Sequence, residues 1–154
     1  MLVHVAVDRL ENAGILHYLG PGRGLQELPV GEPAEGADRL HLGSHPLVVA
    51  RLWDVLNAAL PNDGRCVIYG SPALVEPVSG IVLAAAIGTQ YVLRLLSAER
   101  ELAVAAGAPS THTFQTSGGT LDLSVSLGPD WTFGADDPRE PAWLAATASA
   151  FASG

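Results

Sequence analysis

From Arg65 to Leu96 the chain runs through apolar, β-branched segments joined by short turns, and this stretch limits the available folds more than any other. Cys66–Tyr69 and Ala73–Val75 lead into the turn Glu76-Pro77-Val78-Ser79-Gly80. Ile81–Ile87 then reads as a buried strand, and Gly88-Thr89 turns the chain into Gln90–Leu96. A parallel pair needs a crossover of about a dozen residues, and none of these connections is that long. The segment therefore predicts an antiparallel meander.

Helical signals flank it. Ser44, His45 and Pro46 supply a cap and a first-turn proline, and Pro61 ends the run. Between them Val49, Leu52, Trp53, Leu56 and Leu60 recur at the spacing of one helical face. Ser97 caps a second helix with Glu99 and Glu101 in its first turn, closed by Gly107 and Pro109. Asp137-Pro138-Arg139-Glu140 opens a terminal helix whose inner face carries Trp143, Leu144, Thr147 and Phe151. Ser117-Gly118-Gly119, between Thr111–Thr116 and Thr120–Leu127, is a hairpin signal. Leu121, Leu123, Val125 and Leu127 alternate there with polar residues, as in a strand with one wet face.

Near the start, Leu2–Val7 reads as a strand. Asp8 and Glu11 have the spacing of a capping box, but Gly14 would cost a helix about 1 kcal/mol. Ile15–Leu19 suits a strand, so the expectation here is a hairpin turning at Glu11–Gly14. Together these elements predict an α+β fold, a single mostly antiparallel sheet with helices packed on one side. Acidic and basic residues are spread evenly and no compositional seam divides the chain. Residues 1–154 are expected to form a single domain, with a loose Gly/Pro/acid-rich segment at about residues 20–38.

Charge narrows the function. Sixteen acids face eight bases, a formal charge of −8, which argues against direct nucleic-acid binding. Every base is arginine. A GC-rich coding bias explains that, and it warns against reading each guanidinium as a chosen ligand. Ile81–Ile87 falls far short of the roughly 18 apolar residues of a membrane span. One cysteine cannot close an intramolecular disulfide, and no charged-then-apolar leader precedes the first strand-like segment, so a cytoplasmic location is the expectation.

No motif carries a coherent chemistry. In Gly20-Pro21-Gly22-Arg23-Gly24 the proline removes a phosphate-binding N–H and no Lys-Ser/Thr follows, so a simple turn is expected. His41 and His45 stand four apart with Asp38 as a third candidate metal ligand, but Gly43 and Pro46 make a helix entry the better reading. Cys66, in a strand interior, reads as a small hydrophobe rather than a nucleophile. Ser71 and Ser79 lack the nucleophile-elbow pattern, and His112 has no companion recognisable in sequence. Asp136-Asp137 reads as helix capping. No catalytic residue, metal or cofactor is therefore expected.

The region from Gly128 to Trp143 is more suggestive. Asp130, Trp131, Phe133, Asp136, Asp137 and Glu140 stand against Arg139 alone, and aromatics beside acids are the composition of an interface. These residues are the expected partner-binding site. The expected function is an acidic protein-binding module, an inhibitor or antitoxin-like immunity protein that masks a basic partner such as a toxin domain or enzyme. Two alternatives come from other classes. One is a small enzyme or small-molecule binder with a cleft near His41, His45 and Cys66. The other is a homo-oligomeric assembly protein, a homodimer through unpaired edges of the apolar meander.

Overall fold

A computed structural model describes residues 4–34, 44–108, 114–116, 119–121, 127–128 and 130–153. Its centre is a six-stranded antiparallel sheet. In spatial order the strands are β1 (Val30–Pro33), β2 (Arg65–Ile68), β3 (Ser71–Glu76), β4 (Ile81–Ile87), β5 (Gln90–Arg94) and β8 (Trp131–Phe133). A separate two-stranded ribbon pairs β6 (Phe114–Thr116) with β7 (Gly119–Leu121), joining Phe114 to Leu121 and Thr116 to Gly119. Among the described residues the α-helices include α1 (Ala13–Leu19), α2 (Pro46–Ala50), α3 (Ser97–Ala105) and α4 (Glu140–Ser153). The fold is α+β, with β2 to β5 forming the meander that the short turns predict.

The meander positions everything else because its middle strands are apolar on both faces. On one face Val67, Leu74, Leu83 and Leu93 meet Val49, Leu52 and Leu56 together with Trp143 and Leu144 of α4. On the other, Cys66, Ile68, Val75, Val82 and Val92 meet Ile15, Leu16 and Leu19 of α1, with Trp131 and Phe133 of β8. The long helical elements thus share one face, and the short α1 adds a cover to the opposite one. A β-bulge between β3 and β4 reconciles the two layers. Leu74 pairs with Ala84 and Val75 with Val82, so Leu83 is the extra residue and joins Ala84 on the same face.

The expected N-terminal hairpin is instead a helix. His4–Val7 is irregular chain held to the sheet by the Ala6 N–H donating to Gly80 O at 2.9 Å. Leu10–Asn12 forms a tight 3-10 turn, and α1 runs on from it. The reason is Asn12, fully buried. Its Nδ2 donates to Ala6 O at 2.8 Å and Gly80 O at 2.9 Å, and its Oδ1 accepts from Val82 N at 2.9 Å. These bonds fix the start of α1 over the β3–β4 turn. Ile15, Leu16 and Leu19 can then be buried, which outweighs the roughly 1 kcal/mol that Gly14 costs inside a helix.

Other boundaries shift for identifiable reasons. His45, rather than Ser44, caps α2, its Nδ1 accepting from Leu47 N at 3.1 Å. The helix then widens into a π-helical stretch over Arg51–Leu56 and ends in a tight turn at Asn57–Ala59. Leu96 rather than Ser97 is the N-cap of α3, and it makes no side-chain capping bond. The loose segment contributes the edge strand β1, and Trp131–Phe133, expected at a partner interface, is the opposite edge strand. The arm from Asp122 to Ser126 lies outside the described residues.

Candidate functional site: a polar cluster beside a cleft

The fold draws four polar side chains together from distant parts of the chain. Arg51 opens the π-helical stretch, Tyr91 lies in β5, Asp136 in the loop after β8, and Glu140 at the start of α4. Glu140 is 1% exposed. Its Oε1 accepts from Arg51 Nη2 at 2.9 Å and from the Tyr91 hydroxyl at 2.6 Å, and its Oε2 accepts from Ala135 N at 2.8 Å. Arg51 also donates to Asp137 O at 2.8 Å and to the Tyr91 oxygen at 3.3 Å. A buried carboxylate is tolerated here because three donors, one of them a cation, meet its two oxygens.

Burial pushes the Tyr91 phenol up, and the Glu140 carboxylate adds to the shift; Arg51 and the Asp136 N–H oppose it. Tyr91 is therefore a neutral donor at physiological pH. For Arg51, burial opposes the charge, but hydrogen bonds to Glu140 and Tyr91 outweigh it and hold the guanidinium protonated.

The loop that carries Asp136 is shaped by this tyrosine. Gly134 N donates to Tyr91 O at 2.8 Å, and a Cβ at position 134 would fall within the Tyr91 ring, 1.8 Å from its nearest atom. Asp136 takes a left-handed backbone conformation, φ 55°, that favours Asn, Asp and Gly. Its N–H donates to the Tyr91 oxygen at 3.0 Å. Gly134→Ala should therefore displace the ring and lower stability by about 1–3 kcal/mol. A melting curve checks this, and an unchanged midpoint would contradict the packing described.

Tyr91 and Asp136 also line a cleft of about 410 Å³, with His45, Leu47, Val48, Thr89, Gln90 and Gly134 completing its wall. That volume lies in the range of small-ligand sites. Among the described residues no lysine or arginine lines it. Across the loop a smaller cleft of about 220 Å³ lies between α3 and α4, lined by Ala103, Ala106, Asp137, Pro138 and Trp143 among others.

The expected partner-binding residues divide. Asp130 and Asp136 are exposed and Asp137 is half-buried. Trp131 and Phe133 are buried in the core against α1, and Glu140 is buried in the cluster. These three are withdrawn from any surface interface. The burial of Trp131 and Phe133 goes with their place in an edge strand, where Val92 pairs with Phe133 and Arg94 with Trp131.

The local charge is corrected as well. Sequence order showed Arg139 alone, but the fold brings three further arginines. Asp130 faces Arg100 at 3.6 Å and Arg94 at 3.9 Å, Asp136 faces Arg51 at 3.6 Å, and Asp137 pairs with Arg139 at 2.9 Å. The Arg139 hydrogen bonds hold the Asp137 carboxyl down at about 2. Arg94 is itself buried, donating to Val82 O and Glu11 O at 2.8 Å each and lying 4.5 Å from the centre of the Trp131 ring. Burial lowers its pKa to about 10, with Asp130 opposing.

The alternative cleft near His41, His45 and Cys66 is also divided. His45 lines the 410 Å³ cleft. Cys66 is fully buried in the layer facing α1, on the other side of the sheet, where burial pushes its thiol well above the ordinary range. His41, Asp38 and His112 lie outside the described residues. Cys66 should react with a thiol reagent only as fast as the chain unfolds. Stoichiometric labelling within seconds under native conditions would contradict its burial.

Sequence order gave no sign of Arg51, Tyr91 or Gly134. Each looks ordinary in its own element, and only the tertiary contact makes them a unit. Asp136 and Glu140 were the usable signals, since both belong to the acids of the expected interface. No protein-family model, curated protein or solved structure matches the chain, so fold and site rest on its own residues alone.

Proposed function

We propose that the protein is an acidic protein-binding module of the inhibitor or immunity type, which masks a basic partner such as a toxin domain. One observation carries this reading. Every described arginine except Arg23 is within ion-pair distance of a carboxylate of its own chain: Arg9 with Glu11, Arg51 with Glu140, Arg65 with Asp63, Arg94 and Arg100 with Asp130, and Arg139 with Asp137. Asp8, Glu27, Glu32, Glu99 and Glu101 are at least partly exposed and form no ion pair among the described residues. These five acids present part of the surplus behind the net charge of −8 to solvent, where it raises the local concentration of a basic partner and speeds its docking.

The burial of Trp131 and Phe133 moves the reading away from a loop interface centred on them. Steering belongs to the dispersed acids. The test is to immobilise the chain, load its host's lysate at low salt, and elute with a salt gradient. One stoichiometric basic protein leaving only at high salt is the expected result. A variant carrying Asp8→Asn, Glu27→Gln, Glu99→Gln and Glu101→Gln should release it at lower salt. A column that holds no basic protein contradicts the proposal.

A further inference from the structure

We infer that the cleft beside Tyr91 is an anchor pocket for the guanidinium of an arginine side chain presented by the basic partner. The inference rests on the proposed function for the source of that arginine, and on the cleft's own chemistry for its class.

The cluster contains one cation for two carboxylates. Arg51 stands 2.9 Å from Glu140 and 3.6 Å from Asp136, which leaves one negative charge uncompensated at the cleft wall. The Tyr91 hydroxyl has one proton and two carboxylate oxygens in reach, Glu140 at 2.6 Å and Asp136 at 3.1 Å. The shorter, buried bond to Glu140 takes it, so the Asp136 carboxylate keeps its acceptor capacity. Its side chain is 78% exposed, and the backbone that presents it is fixed by the Asp136 N–H bond to the Tyr91 oxygen at 3.0 Å.

The rest of the wall suits the stem of a long basic side chain. Leu47 is 75% exposed at the cleft, an apolar surface against which methylene groups can lie while the charged head reaches Asp136. An arginine fork meets a carboxylate with two parallel hydrogen bonds, which gives direction as well as charge. An anionic ligand would meet the same carboxylate as a repulsion, and among the described residues of the wall there is no lysine or arginine to offset it.

The test titrates N-acetyl-arginine amide into the intact chain and follows backbone amide shifts, with N-acetyl-citrulline amide as the uncharged match. The arginine probe should saturate and move Gln90, Tyr91, Gly134 and Asp136, and the citrulline probe should bind about tenfold more weakly or worse. Asp136→Asn is the matching variant, because asparagine tolerates the same left-handed backbone. It should lose about tenfold in arginine affinity with its melting midpoint held. Equal binding of the two probes, shifts confined to Glu99 and Glu101, or an Asp136→Asn variant that binds like the parent would each overturn the inference. If the arginine probe ignores the cleft while a basic protein is still captured with salt dependence, the pocket falls and the wider reading stands. If the probe saturates the cleft but no basic protein is captured, the assignment to a partner's side chain falls with the wider reading.

Discussion

Replacing Glu140 with alanine is expected to destabilise the protein by about 3–5 kcal/mol, the usual cost of removing one member of a buried ion pair. Arg51 would keep its charge at 16% side-chain exposure without its nearest carboxylate. The Ala135 N–H would lose the acceptor it holds at 2.8 Å, and the Tyr91 hydroxyl the one it holds at 2.6 Å. Urea unfolding measures the loss directly. The paired substitution Arg51→Met with Glu140→Leu should recover most of it, because both charges leave the interior together. A single substitution costing less than about 1 kcal/mol would show that the cluster is not what ties α4 to β5.

Asn12→Ala is the second large effect, about 3 kcal/mol, from backbone groups left without their amide partner. Ala6 O would lose a donor at 2.8 Å and Val82 N its acceptor at 2.9 Å, around a side chain that is fully buried. Gly80 O retains the Ala6 N–H, so the penalty is smaller than three full losses. Hydrogen exchange gives the sharper readout. The Val82 amide should exchange far faster in the variant, whereas Val92, in the neighbouring strand, should change only with global stability. Uniform acceleration across the sheet would mean that Asn12 acts on the whole fold and not as a local clasp.

These two residues also show where sequence reasoning reaches and where it stops. Ile81–Ile87 and its short turns fixed the antiparallel order, because chain length alone forbids a crossover there. The stripe Val49, Leu52, Trp53 and Leu56 was legible because burial repeats with the helical period. Asn12 was not legible. Its three partners sit six, sixty-eight and seventy residues away, and local propensity at Gly14 pointed to a hairpin. Trp131 and Phe133 misled for a related reason. Three residues between acids look like a loop until pairing with β5 turns them inward. The acids around them looked unopposed because Arg51, Arg94 and Arg100 arrive from other elements. Glu140 was identified as a helix-start carboxylate, but the fold uses it as a buried acceptor.

The cluster also explains why the loop after β8 can present Asp136 in a strained conformation. Tyr91 receives the Asp136 N–H on its hydroxyl oxygen and the Gly134 N–H on its carbonyl, and Glu140 holds the Ala135 N–H. Three hydrogen bonds over-determine a short segment, which is the condition under which a left-handed non-glycine residue persists. The same rigidity would favour binding, since a carboxylate already held in place loses little freedom when a partner arrives.

Steering by exposed acids is central to the proposed function, and the association rate of the captured basic partner against ionic strength tests it most directly. The rate constant should fall by about tenfold or more from low salt to 0.5 M, with dissociation changing much less. Neutralising Asp8, Glu27, Glu99 and Glu101 together should flatten that dependence. An association rate indifferent to salt, and unchanged by those four substitutions, would contradict the proposed function.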